Sequence, residues 1–153
     1  MTRICLSEID NRICTKKAKK PEHFRWNYTK TSSRREEQCR QILESIFHQP
    51  FPSIRPSWLI NPVSGNRLEL DGYNPNLCIA FEYQGEQHYK FNAHYHNNNY
   101  IKFLEQQRRD QFKSKKCQEL GIHLISIPYY IDDLNSFIRT DIQAFIASRS
   151  TSF

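Results

Sequence analysis

Apolar residues first fall into a helical rhythm at Cys39, Ile42, Leu43, Ile46 and Phe47, and the rhythm stops at Pro50. Ser33 stands three residues before Glu36, as in a capping box, so the spacing predicts a helix over about Ser33 to His48. Pro50, Pro52, Pro56 and Pro62 then break any regular pattern. Beyond them Arg67-Leu68-Glu69-Leu70-Asp71-Gly72 alternates polar and apolar, as a strand with one buried face does. Leu77-Cys78-Ile79-Ala80-Phe81-Glu82-Tyr83 is apolar enough for a central strand, and a hairpin through Tyr73-Asn74-Pro75-Asn76 is expected to join the two.

The segment from Gln84 to Tyr100 is rich in His, Asn and Tyr and reads as a functional loop. A long helix is expected from about Asn98 to Leu120, ended by Gly121. Ile122 to Ile127 reads as a buried strand stopped by Pro128, and Leu134 to Ala147 as a closing amphipathic helix. The order helix, three strands, helix, strand, helix predicts an α/β domain with a mixed β-sheet flanked by helices.

Composition bounds this picture. The chain has 153 residues, 38% of them hydrophobic and 25% charged, which suits one domain with a real core and leaves no room for a second. The longest apolar run, Leu77 to Phe81, is too short to span a bilayer, and MTRICLSEID lacks the apolar stretch of a signal peptide. An intracellular protein with no membrane partner is expected, in the cytoplasm or nucleus of the host cell. Five cysteines, Cys5, Cys14, Cys39, Cys78 and Cys117, form no CxxC pair and are expected to be reduced, chiefly in the core.

Charge divides the chain more sharply than composition does. Residues 1 to 40 carry eleven Lys and Arg against five Asp and Glu, and the remainder carries eleven of each, so the whole excess of +6 lies in the first quarter. Lys16, Lys17, Lys19 and Lys20 run into Pro21 without apolar periodicity. We therefore expect a basic arm over residues 1–32, either solvated or bound to the phosphates of a nucleic acid, and a folded domain over residues 33–153.

Charged residues on apolar faces carry the candidate chemistry. In the long helix Phe103, Cys117 and Leu120 define a stripe that also contains Asp110, Lys113 and Gln106, whereas Arg108, Arg109, Lys115 and Lys116 lie largely off it, where they can reach phosphates. In the first helix Glu36 lies about 50° from the centre of the apolar face and Glu37 about 150°. Glu36 is thus the sheet-facing candidate, although the capping box alone accounts for it. Asp71 ends one apolar segment and Glu82 extends the next. Two clustered carboxylates repel unless a cation or a proton intervenes, and a hard cation such as Mg²⁺ or Mn²⁺ suits them. An ion pair with Arg67 or Lys113 is the competing explanation. His88, His94 and His96 match no standard zinc spacing, and His88, nearest the carboxylates in sequence, is a candidate acid, base or phosphate contact.

The series Ser33-x-x-Glu36, Leu70-Asp71-Gly72-Tyr73, Ala80-Phe81-Glu82-Tyr83-Gln84-Gly85-Glu86-Gln87-His88-Tyr89, Asp110-x-x-Lys113 with Cys117, and Gly121-Ile122-His123-Leu124-Ile125-Ser126-Ile127-Pro128-Tyr129 resembles PD-(D/E)XK nucleases. The similar group is related to very-short-patch repair endonucleases and to phage and giant-virus homing endonucleases. The resemblance spans Ser33 to Tyr130. It implies a restriction-endonuclease-like fold and metal-dependent hydrolysis of DNA, with Asp71 and Glu82 as metal ligands. Glu36 would match the acidic residue of the first helix, and His88 and Asp110 the His and Asp of this group's variant active site. Two departures stand out. Gln84 occupies the position of the superfamily's Lys, for which Lys113 is the substitute on hand, and Ser126 stands where relatives often have Arg. Relatives often carry an N-terminal zinc- or DNA-binding module, for which Cys5 and Cys14 are too few. The expected function is a Mg²⁺-dependent endonuclease, nicking as a monomer or cutting both strands as a homodimer; the alternative is a catalytically inactive DNA-binding module of the same fold.

Overall fold

The computed structural model describes residues 33–150. The basic arm with Lys16, Lys17, Lys19 and Lys20 lies outside the described residues, as do Cys5 and Cys14. The first helix, α1 (Arg34–Phe47), begins where expected: the Ser33 hydroxyl accepts from the Glu36 amide at 3.2 Å. It ends at His48, whose left-handed backbone (φ 53°) lets its amide close onto the Glu44 carbonyl ahead of Pro50.

The stretch from 50 to 70 forms no continuous strand. It touches itself through two isolated bridges, Ile54 with Leu70 and Ile60 with Arg67. Prolines lack the amide a ladder needs, so the alternation at 67–72 yields single bridges and not the expected strand. Regular pairing begins only at β1 (Gly72–Asn74), antiparallel to β2 (Ile79–Gln84). The hairpin turn therefore falls at 75–78, later than expected, with Cys78 at φ 53° and the Leu77 amide held by Asn74 Oδ1 at 3.0 Å. Position 72 admits only glycine, because a Cβ there would stand 2.1 Å from the Phe81 ring.

After the loop comes α2 (Tyr100–Glu119), N-capped by Asn99, then β3 (His123–Pro128) and α3 (Leu134–Ser150). β3 lies parallel to β2, which is central in the three-stranded order β1-β2-β3. Two strands, not three, thus precede α2. The sheet is mixed and helix-flanked, which bears out the α/β class. Alternation along β2 sends Ile79 and Phe81 into a core with Cys39, Leu43, Phe47, Ile138 and Ile142 of α1 and α3, while Ala80 faces Cys117 of α2. Leu120, expected in the buried stripe of α2, is 47% exposed because the helix has already ended there. Cys39, Cys78 and Cys117 are buried; burial pushes the thiols of Cys39 and Cys117 up to about 12 and about 11, which disfavours the reactive thiolate. Among the described residues no helix is long and apolar enough to cross a membrane.

Candidate active site

The β1–β2 register determines the site. Gly72 pairs with Phe81, so extending the ladder by one pair sets Asp71 opposite Glu82. There the side chains take over the bonding. Glu82 Oε1 accepts from the Asp71 amide at 3.3 Å, and Asp71 Oδ2 accepts from the Tyr83 amide at 2.9 Å. Each carboxylate is held by the backbone of the opposite strand, which places two like charges side by side. Glu82 belongs to the α2 face of the sheet, where Lys113 donates to its Oε2 at 3.0 Å. Arg67 is exposed, so of the two cations expected to compete for the carboxylates Lys113 is the partner of Glu82.

Glu82 is only 5% exposed. Burial, then the charge of Asp71, push its carboxyl up to about 8, against the opposing pull of Lys113. The native state therefore holds this proton more tightly than the unfolded chain does. Its contribution to stability is complete below pH 4.5 and is lost as pH rises towards about 8. In metal-free buffer the melting temperature of the parent should fall across this window relative to that of Glu82→Gln, which lacks the titrating group. Parallel profiles for the two proteins would contradict the assignment.

A cavity of about 420 Å³ opens over the pair, lined by Glu36, Glu69, Asp71, Glu82, His88 and Lys113 together with Ser33, Tyr83, Gly85, Gln87 and Tyr95. Five of the sequence candidates thus share one cavity. Asp110 stands behind it, taking the His88 Nδ1 at 2.7 Å, so that with Nδ1 as donor the free ring nitrogen is Nε2. Gln84 is not among the lining residues; its Oε1 accepts from the Tyr89 hydroxyl at 2.6 Å. Arg108 and Lys115 are exposed on α2, Arg109 and Lys116 half-buried, and none of the four lines the cavity.

Sequence reasoning missed Arg40. Only 3% exposed, it donates to the Asp71 carbonyl at 2.7 Å, to the Phe51 carbonyl at 3.1 Å, to Glu36 at 3.2 Å and to Glu37 at 3.1 Å. It ties α1 to the turn that carries Asp71. The available signal was its position three residues before Leu43 and seven before Phe47, on the buried stripe. The sequence also gives His96 no role beyond a spacing that fits no standard zinc site. It is 2% exposed, stacked on Phe91 and bonded to Gln106 at 3.1 Å, and so fastens the loop to α2.

The resemblance implies a hard divalent cation at the acidic pair. Asp71 and Glu82 supply adjacent hard oxygens, with Glu82 buried and paired to Lys113. Among the described residues no group of three or more His, Cys, Asp or Glu converges to hold a metal. Two carboxylates alone still fit Mg²⁺ or Mn²⁺, since Mg²⁺ usually keeps several waters and takes only one or two protein carboxylates plus phosphate oxygens.

The fold and site define a mixed α/β domain with an acidic pair, one buried and one half-buried, at the end of a hairpin. The chain belongs to the viral protein family that includes the uncharacterised protein 094L of Frog virus 3 (isolate Goorha), to which it is 38% identical over 109 residues, 71% of this chain and 70% of that protein. It is also 44% identical over 110 residues to the uncharacterised protein 033L of Invertebrate iridescent virus 3, covering 71% of this chain and 56% of that protein. With the uncharacterised protein 307L of Invertebrate iridescent virus 6 it shares 39% identity over 95 residues, 59% of this chain and 48% of that protein. The chain thus spans about half the length of the two invertebrate-virus relatives. No protein-family model and no solved structure matches it.

Proposed function

We propose that the protein is a metal-dependent endonuclease of restriction-endonuclease-like fold that hydrolyses phosphodiester bonds in DNA. The observation that carries this reading is the Asp71–Glu82 pair, each carboxylate fixed by the facing strand, at the floor of a cavity that also holds Lys113 and His88. A binding module gains nothing from clustered carboxylates that repel phosphate. Mg²⁺ or Mn²⁺, held by Asp71 and Glu82, would supply Lewis-acid charge for the phosphate and acidify water. Lys113 is the lone Lys or Arg among the described residues lining the cavity, and it offsets the charge of an incoming phosphate. His88, aligned by Asp110, offers Nε2 for proton transfer or for a bond to a phosphate oxygen. Glu36, held by Arg40, adds a further carboxylate at the rim.

Incubating plasmid with the protein and Mg²⁺ or Mn²⁺, with an EDTA control, tests the reading; nicked or linear product that EDTA suppresses is expected. Retardation of DNA without any product under either metal would favour the inactive binding module. The positive charge of the arm suits it to contact phosphates. Deleting residues 1–30 should weaken DNA binding and flatten its dependence on salt, as measured by anisotropy across a salt series. An unchanged slope would reject the arm's role.

A further inference from the structure

Three tyrosines beside the cavity bear on which form of DNA the site accepts, an inference that rests on the nuclease reading. Tyr89, Tyr129 and Tyr130 contact one another pairwise, with ring centroids 5.8, 5.9 and 5.5 Å apart. Packing does not account for Tyr89 and Tyr130, which are 40% and 61% exposed, while Tyr129 is half-buried. Their position is tied to the site at both ends. Tyr89 follows His88 and bonds Gln84, which lies two residues along β2 from Glu82, or about 7 Å at the usual strand rise. Pro128 pairs with Gln84 in the β2–β3 register and leads directly into Tyr129 and Tyr130. The rings therefore lie at the Gln84 end of β2, two residues beyond Glu82. Lys90, 65% exposed and paired with Glu86 at 3.2 Å, stands next to the Tyr129 hydroxyl.

We propose that Tyr89, Tyr129 and Tyr130 form a stacking platform for unpaired bases, and that the substrate is DNA with a single-stranded segment next to the scissile phosphate. In a paired duplex both faces of each base are covered by its neighbours, so an exposed ring finds no partner. An unpaired strand offers π-faces of any sequence, and its backbone suits a nearby cation. Gln84 becomes a positioning residue that fixes Tyr89 in the platform, which gives a use to the side chain that departs from the superfamily's lysine.

Anisotropy in EDTA, with the full chain and a labelled oligonucleotide presented single-stranded or as a blunt duplex, tests this apart from cleavage. Tyr130→Leu should weaken single-strand binding about ten-fold and leave duplex binding within about two-fold, whereas Tyr130→Trp should bind like the parent. Gln84→Leu, which releases the Tyr89 hydroxyl, should act in the same direction as Tyr130→Leu. Unchanged single-strand affinity in folded Tyr130→Leu, or equal losses on both DNAs, would overturn the platform while leaving the nuclease reading intact. A parent protein that binds neither DNA in EDTA would likewise overturn the platform, while the nuclease reading stands or falls on cleavage with metal.

Discussion

Lys113→Ala should slow cleavage by about ten-fold to a hundred-fold, the loss expected for a charge-stabilising or proton-transferring group, and Gln84→Ala should cost less. The ranking follows from position. Lys113 enters the cavity from α2 and meets Glu82 at 3.0 Å, whereas Gln84 is turned to Tyr89 and is absent from the lining. In the nuclease proposed above, the cation that the resembled motif places two residues beyond its acidic residue is supplied by Lys113 of the helix. Single-turnover rates at saturating DNA and metal separate this effect from binding. Removing Lys113 also leaves Glu82 buried without its partner, so Lys113→Arg, which keeps the charge, is the control for destabilisation and should recover part of the rate. If Gln84→Ala were the slower enzyme, Gln84 would hold the motif's role and Lys113 would serve only to pair Glu82.

Much of this arrangement is legible before folding is considered. Long periodic segments such as α1, α2 and α3 reveal themselves because a helix needs many apolar positions in phase, and β2 does so because both of its faces are covered. Asp110 and Lys113 stand out because charge on an apolar stripe demands a partner, and their partners prove to be His88 and Glu82. The stretch from 50 to 70 is different. Its alternation satisfies a strand pattern, yet pairing depends on amides that its prolines lack and on partners distant in sequence, so only bridges form. Arg40 escaped notice because a helix-surface arginine is usually solvated; its burial depends on two carbonyls, at Phe51 and Asp71, that only the folded chain brings to it. His96 is buried for the same reason, through Phe91 and Gln106.

Asp71→Asn and Glu82→Gln should each abolish metal-dependent cleavage, the largest effects expected of any substitution. Both changes keep size and shape and retain a side-chain oxygen for the bonds from the Tyr83 and Asp71 amides, so the hairpin that positions them is preserved. What is lost is negative charge where a cation must be held. Affinity for DNA in EDTA should be equal to the parent's or higher, because less charge opposes the phosphates. The most direct test is cleavage of plasmid and of single-stranded circular DNA by folded, nuclease-free Asp71→Asn beside the parent, in Mg²⁺ or Mn²⁺ and in EDTA. The account predicts product from the parent with metal and none from Asp71→Asn under any condition; cleavage by folded Asp71→Asn at the parent's rate would contradict it.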